Sequence, residues 1–274
     1  MKPSTLAHAA LLASIAFCAP AVAADASAGR DAYQCAVDQH AMLSAYHFYA
    51  SDPKDRILNA DFLNARQNAL DCAQKVADQL SAAGMTSQAG SMKALRDKVA
   101  QTSQYNASTI AKTGMSENAV VKEMVDSELT LIRQLVQAGK DFQASSQMKE
   151  VAEASQAREL ALTIMYANAR YVERTTQIVL RDDSSEPTID ELAARFDRAL
   201  TGLRKSPRLS AEQKKKLENV NTRFRFINGS LNNYTEQAVP STVNRHARSM
   251  VAILGQVADG LEGMSDKGSL ALAR

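Results

Sequence analysis

Apolar residues recur every three or four positions through most of this chain, and no stretch alternates in the manner of a strand. Read with the helix start and stop signals, the pattern predicts eight helices. The first spans about Gly29 to Ala50. The second opens at Pro53, a favourable first-turn residue, and closes near Gly84. The third covers about Ser91 to Lys112, and the fourth runs from Ser116 to Gly139. A long fifth helix follows, from about Phe142 to Arg181, with no glycine or proline inside it. Thr188 with Glu191 forms a capping box for the sixth, which ends near Lys205. Ser210 with Gln213 does the same for the seventh, to about Gln237, and Pro240 opens the eighth, to about Gly263. Short connections between such helices force neighbours to run antiparallel. The expected fold class is therefore all-α, as two stacked antiparallel four-helix bundles, residues 25–139 and 140–263, with a flexible polar tail over 264–274.

The fifth helix carries the most pattern. Ala161, Met165, Val172 and Val179 share one face of it, and the apolar arc around them is wide enough for two neighbours. Arg170, Arg174, Gln177 and Arg181 fall on the opposite face, which is expected to meet water or another subunit.

The N-terminus changes the compartment. Lys2, an apolar run from Leu6 to Ala19 and the small-residue pattern Ala21-Val22-Ala23 read as a secretory signal peptide over residues 1–24. Phe17 is too bulky for a lipid-attachment motif at Cys18, and no later stretch is apolar enough to span a bilayer. The expected location is periplasmic or secreted. Losing Lys2 takes the net charge from +2 to +1, so overall charge points to neither nucleic acid nor a membrane surface. Of 18 arginines, 13 lie beyond residue 150, which makes the second half the better place for an anion, although most of them also fit a solvated helix surface. Cys35 and Cys72 lie equidistant from the turn Ser51–Asp55, so they face each other across the first helical hairpin. A disulfide fits that geometry and an oxidising compartment; the alternative is two buried free thiols.

The halves look alike. Lys93–Ser108 can be laid on Lys215–Ser230, and Leu131–Asp141 on Ala252–Glu262, at offsets of about 121 to 122 residues, mainly in polarity and spacing. A tandem duplication is the architecture this suggests.

Motifs for chemistry are missing. The chain has no glycine-rich phosphate loop, no GxSxG, no HExxH and no CxxC, and its carboxylates are scattered, so a non-enzymatic role without cofactor or metal is expected. His40 and His47 share a helix face near Met42 and Tyr46. That arrangement suits a haem or copper site, and it equally suits two polar or interfacial histidines.

The segments His40–Ala50 and Asn168–Leu180 resemble the first-helix motif of the PilJ-like periplasmic sensor domain of type IV pilus chemoreceptors, a relative of nitrate and nitrite sensor domains. Phe196–Arg204 and Leu217–Ile227 resemble the second and third helices of that domain, so the likeness covers about 150–262 more fully than 29–140. The resemblance implies an anion held by arginines of the first-helix motif between subunits. It places the first arginine at Arg170 and the second at Arg174 or Thr175, with Ala41 at the equivalent first position of the first half. The expectation is an exported sensory or ligand-binding module for a small anion, nitrate-like or a carboxylate, with a homodimer admitted. A structural or adaptor bundle that binds another periplasmic protein is the alternative.

Overall fold

The computed structural model describes residues 26–145, 151–176, 186–236 and 238–272, with side chains described from residue 27 to residue 263 of these ranges. The leader over 1–24 lies outside them. Among the described residues there are eight helices and no strand: α1 (Ala26–Ser51), α2 (Arg56–Ala82), α3 (Thr86–Thr113), α4 (Asn118–Ser145), α5 (Ala152–Thr176), α6 (Ile189–Arg204), α7 (Ala211–Asn232) and α8 (Pro240–Leu272). No helix among them is long and apolar enough to cross a membrane.

The helices close into two rings. In the first, α1 packs on α2, α2 on α3, α3 on α4, and α4 returns to α1. The second repeats that order with α5, α6, α7 and α8. The rings meet along α1 and α5. His40 faces Tyr166 and Ser44 faces Asn168, so these two helices run parallel. Their cores touch along this seam: Val37 of α1 belongs to the second core, and Ala169 of α5 to the first.

Local chemistry explains most of the boundaries. The two capping boxes form as the sequence reads, with Thr188 and Ser210 each accepting from the third residue's backbone and each third side chain reaching back. Helix α2 starts three residues beyond Pro53, because the Asp55 carboxylate accepts from the N–H groups of Ile57 and Leu58 at 2.7 and 3.3 Å and so caps the helix there. Gly114 stops α3 in the left-handed conformation, φ 75°, where a side chain would be strained. Cys35 and Cys72 are joined, with Cα atoms 5.5 Å apart, which ties α1 to α2 across the first hairpin.

Three expectations are corrected. Gly139 does not end α4, which continues to Ser145. It is a contact point instead: a Cβ there would lie 2.8 Å from Cε2 of Tyr33, so glycine lets α1 and α4 approach closely. The fifth helix is therefore shorter than the run from Phe142 to Arg181, since Phe142 belongs to α4 and α5 starts at Ala152. No glycine or proline between Phe142 and Ala152 signals these helix ends in the sequence. The eighth helix does not end near Gly263 but reaches Leu272. No proline follows Gly263, and an interior glycine costs a helix only about 1 kcal/mol.

Candidate functional site

The seam between α1 and α5 holds several buried polar groups, among them His40, Ser44, Asn168 and Arg170. His40 is buried and stacks on Tyr166, with ring centroids 4.8 Å apart. Burial holds its imidazole far below the usual range, at about 3, so the ring is neutral near pH 7. Its Nδ1 has no hydrogen-bond partner. The Tyr166 hydroxyl donates to Glu186 Oε2 at 2.8 Å. Burial first, and the Glu186 carboxylate second, push that phenol up to about 12. Arg170 Nη1 donates to the same Glu186 oxygen at 2.7 Å and to the carbonyl of Pro187 at 3.3 Å. Its Nε lies 3.7 Å from a Glu173 oxygen.

Arg170 is thus only 4 % exposed and faces two carboxylates of its own chain. This corrects the expectation that its helix face meets water or another subunit. Helix α5 has three neighbours, α1, α6 and α8, and α1 covers a side of it that a lone four-helix bundle would leave open. Arg174 is exposed in the last turn of α5, so the two arginines do not share one solvent-facing surface. Gln177 and Arg181 lie outside the described residues. Ala41, the first-half counterpart of Arg170 in the PilJ-like resemblance, packs against the second core.

Other polar ties hold the seam in register. Asn168 donates to Ser44 Oγ and to Asn244 Oδ1, both at 3.0 Å, which links α5 to α1 and α8. Arg158, 8 % exposed, and Arg30 both reach Glu262 Oε2, at 2.7 and 3.4 Å. His47 is buried beside Tyr46, with ring centroids 5.3 Å apart. His40 and His47 are therefore interior groups. Among the described residues no cluster of three or more His, Cys, Asp or Glu side chains is arranged to hold a metal ion.

One flank of the seam opens into a groove of about 420 Å³ between α1, α4, α5 and α6. His40, Tyr166 and Glu186 form part of its lining. Its walls are apolar, with Ile132, Val136, Leu162 and Leu192. Its remaining charges are cationic: Arg133, Lys140 and Arg195, all exposed. Arg133 donates to Thr130 Oγ1 at 2.9 Å, and none of the three forms an ion pair among the described residues. The only carboxylate in the lining among the described residues, Glu186, already has Arg170 as counter-ion. The groove can therefore hold an apolar body and offer positive charge at its edge.

The sequence pointed to Arg170 and Arg174 of α5, and the groove beside that helix is lined by other residues. Tyr166 and Glu186 carry no motif. Arg133, Lys140 and Arg195 read as ordinary surface until α4 and α6 are brought beside α5.

No family model matches this chain, and no curated protein or solved structure does either.

Proposed function

We propose that this chain is an exported, non-catalytic helical module that binds or senses a small anionic molecule at the seam between its two bundles. The observation that carries the reading is the groove beside His40 and Tyr166, where three cations that form no ion pair among the described residues border apolar walls. A groove of that size falls within the roughly 300–1,000 Å³ of small-molecule sites. The disulfide between Cys35 and Cys72 suits an oxidising, extracytoplasmic location, in keeping with the signal-like N-terminus. The like order of α1–α4 and α5–α8 suits a tandem duplication in which first helices pair side by side.

The resemblance to PilJ-like sensors supports the same class. Phe196, Leu200, Leu203, Leu217, Val220 and Phe224 within the resembling segments are core residues of the second bundle. They speak for a shared kind of bundle before a shared ligand. A nitrate-like ion held by Arg170 has less support than a ligand in the groove, because it would have to displace Glu186 or Glu173.

The test is ligand-dependent stabilisation of the mature protein against a panel of nitrate, nitrite and organic acids. A ligand at 100 times its dissociation constant should stabilise the fold by about 2.7 kcal/mol. Leu162→Trp, which fills the groove, should abolish that stabilisation. Stabilisation that persists in this variant would place the ligand elsewhere.

An adaptor bundle is the second reading. Ile57 and Met115, both 71 % exposed, stand at the same end of the first bundle, beside the α1–α2 and α3–α4 connections. Two isolated apolar side chains are a small anchor for a protein partner. Loss of binding to a periplasmic extract in an Ile57→Ser/Met115→Ser variant would favour it.

A further inference from the structure

We propose that the groove between α4, α5 and α6 takes a small organic carboxylate with an extended apolar body, the tail lying along Leu162 and Ile132 and the carboxylate meeting Arg133, Lys140 or Arg195. This deepens the binding function proposed above and rests on it. Three features of the lining select the class. An inorganic anion such as nitrate would leave the apolar walls of Ile132, Val136, Leu162 and Leu192 unused, and those walls form much of the groove. A neutral apolar molecule would use the walls but leave three cations unpaired. A cationic amphiphile would meet like charge at the rim, where repulsion opposes it.

The base of the groove adds orientation. Glu186 is occupied by Arg170 and by the Tyr166 hydroxyl, so it does not invite a ligand ammonium group. His40 is neutral there and presents no charge to the tail. The charged end of the ligand therefore belongs at the rim with the arginines, away from His40. Arginine suits that role, because its planar fork can donate two parallel hydrogen bonds to one carboxylate.

The experiment is isothermal titration of the mature protein at low salt with octanoate, acetate, octanol and octylammonium, which separate head from tail. Octanoate should bind once per chain, at least tenfold more tightly than each of the other three. Its affinity should fall as salt screens the rim charges. Arg133→Gln with Arg195→Gln should weaken octanoate by roughly tenfold or more, while circular dichroism and octanol binding stay unchanged, since both side chains are exposed. Leu162→Trp should remove binding of octanoate and octanol alike. Should that variant fold poorly, the double arginine variant still decides the matter. Octanol or octylammonium binding as tightly as octanoate, and lost in Leu162→Trp, would overturn the carboxylate and leave the groove as a ligand seat. Failure of all four compounds to bind would overturn the carboxylate proposal, and the binding function above would fall with it only if nitrate and nitrite also leave the protein unstabilised.

Discussion

Glu128 offers the sharpest test of how this fold is held together. It lies on α4 with no exposed surface, and neither carboxylate oxygen has a hydrogen-bond partner. Burial raises its pKa well above the ordinary carboxylate value, so the native protein holds it protonated beyond the pH at which the unfolded chain gives its proton up. The sign follows from proton counting. Below the unfolded pKa both states bind the proton, and pH has no effect through this group. Above it the native state binds more protons than the unfolded one, so stability falls as pH rises, by about 1.4 kcal/mol per unit until the native carboxyl also ionises. Glu128→Met keeps a similar volume and removes both the orphaned oxygens and the titration. The variant should be about 1–3 kcal/mol more stable at about pH 4, the usual cost of burying an unsatisfied polar group. Its advantage should grow from pH 4 to pH 7. Urea unfolding followed by circular dichroism at several pH values measures both. A variant that is less stable at every pH, or whose difference from the wild type does not change with pH, would refute the reasoning.

Three further perturbations probe other parts of the structure. Cys35→Ala with Cys72→Ala should cost about 2–4 kcal/mol in a urea melt, because the bond closes a loop with a sequence separation of 37; a loss under 0.5 kcal/mol would show the α1–α2 pair needs no staple. Arg170→Ala should destabilise by about 3 kcal/mol, since it leaves Glu173 and Glu186 without their buried counter-charge, and a thermal melt unchanged from wild type would place Arg170 in solvent. Gly139→Ala should cost about 1–3 kcal/mol, because the added methyl meets the Tyr33 ring, and Tyr33→Leu in the same chain should recover part of that loss.

How far the sequence carried the fold depends on whether a feature is local. The capping boxes at Thr188 and Ser210 need only four residues each, and both form. The bond between Cys35 and Cys72 needs only one turn and two helices of equal length on either side of it, and it forms too. Gly139 and Arg170 failed for one shared reason: each is read correctly only with a second helix in place. Gly139 looks like a stop until Tyr33 of α1 lies against it. Arg170 looks like surface until α5 is known to have α1 as a third neighbour and Glu186 beside it. Glu128 was legible in part. It falls between Val121, Met124 and Val125 on one side and Leu131, Ile132 and Leu135 on the other, at the spacing of the buried face of α4. A carboxylate at such a position is a buried one, and that periodicity could have named it. The groove could not be read in advance, because its cations sit on α4 and α6, and nothing in one helix announces the rim of a site shared with another.

The most direct test of the central claim is a crystal structure of the mature protein grown with octanoate. The account predicts one ligand in the groove between α4, α5 and α6, its tail along Leu162 and its carboxylate at the rim within hydrogen-bonding distance of Arg133, Lys140 or Arg195. A ligand seated outside that groove, or a carboxylate turned inward onto His40, would contradict it.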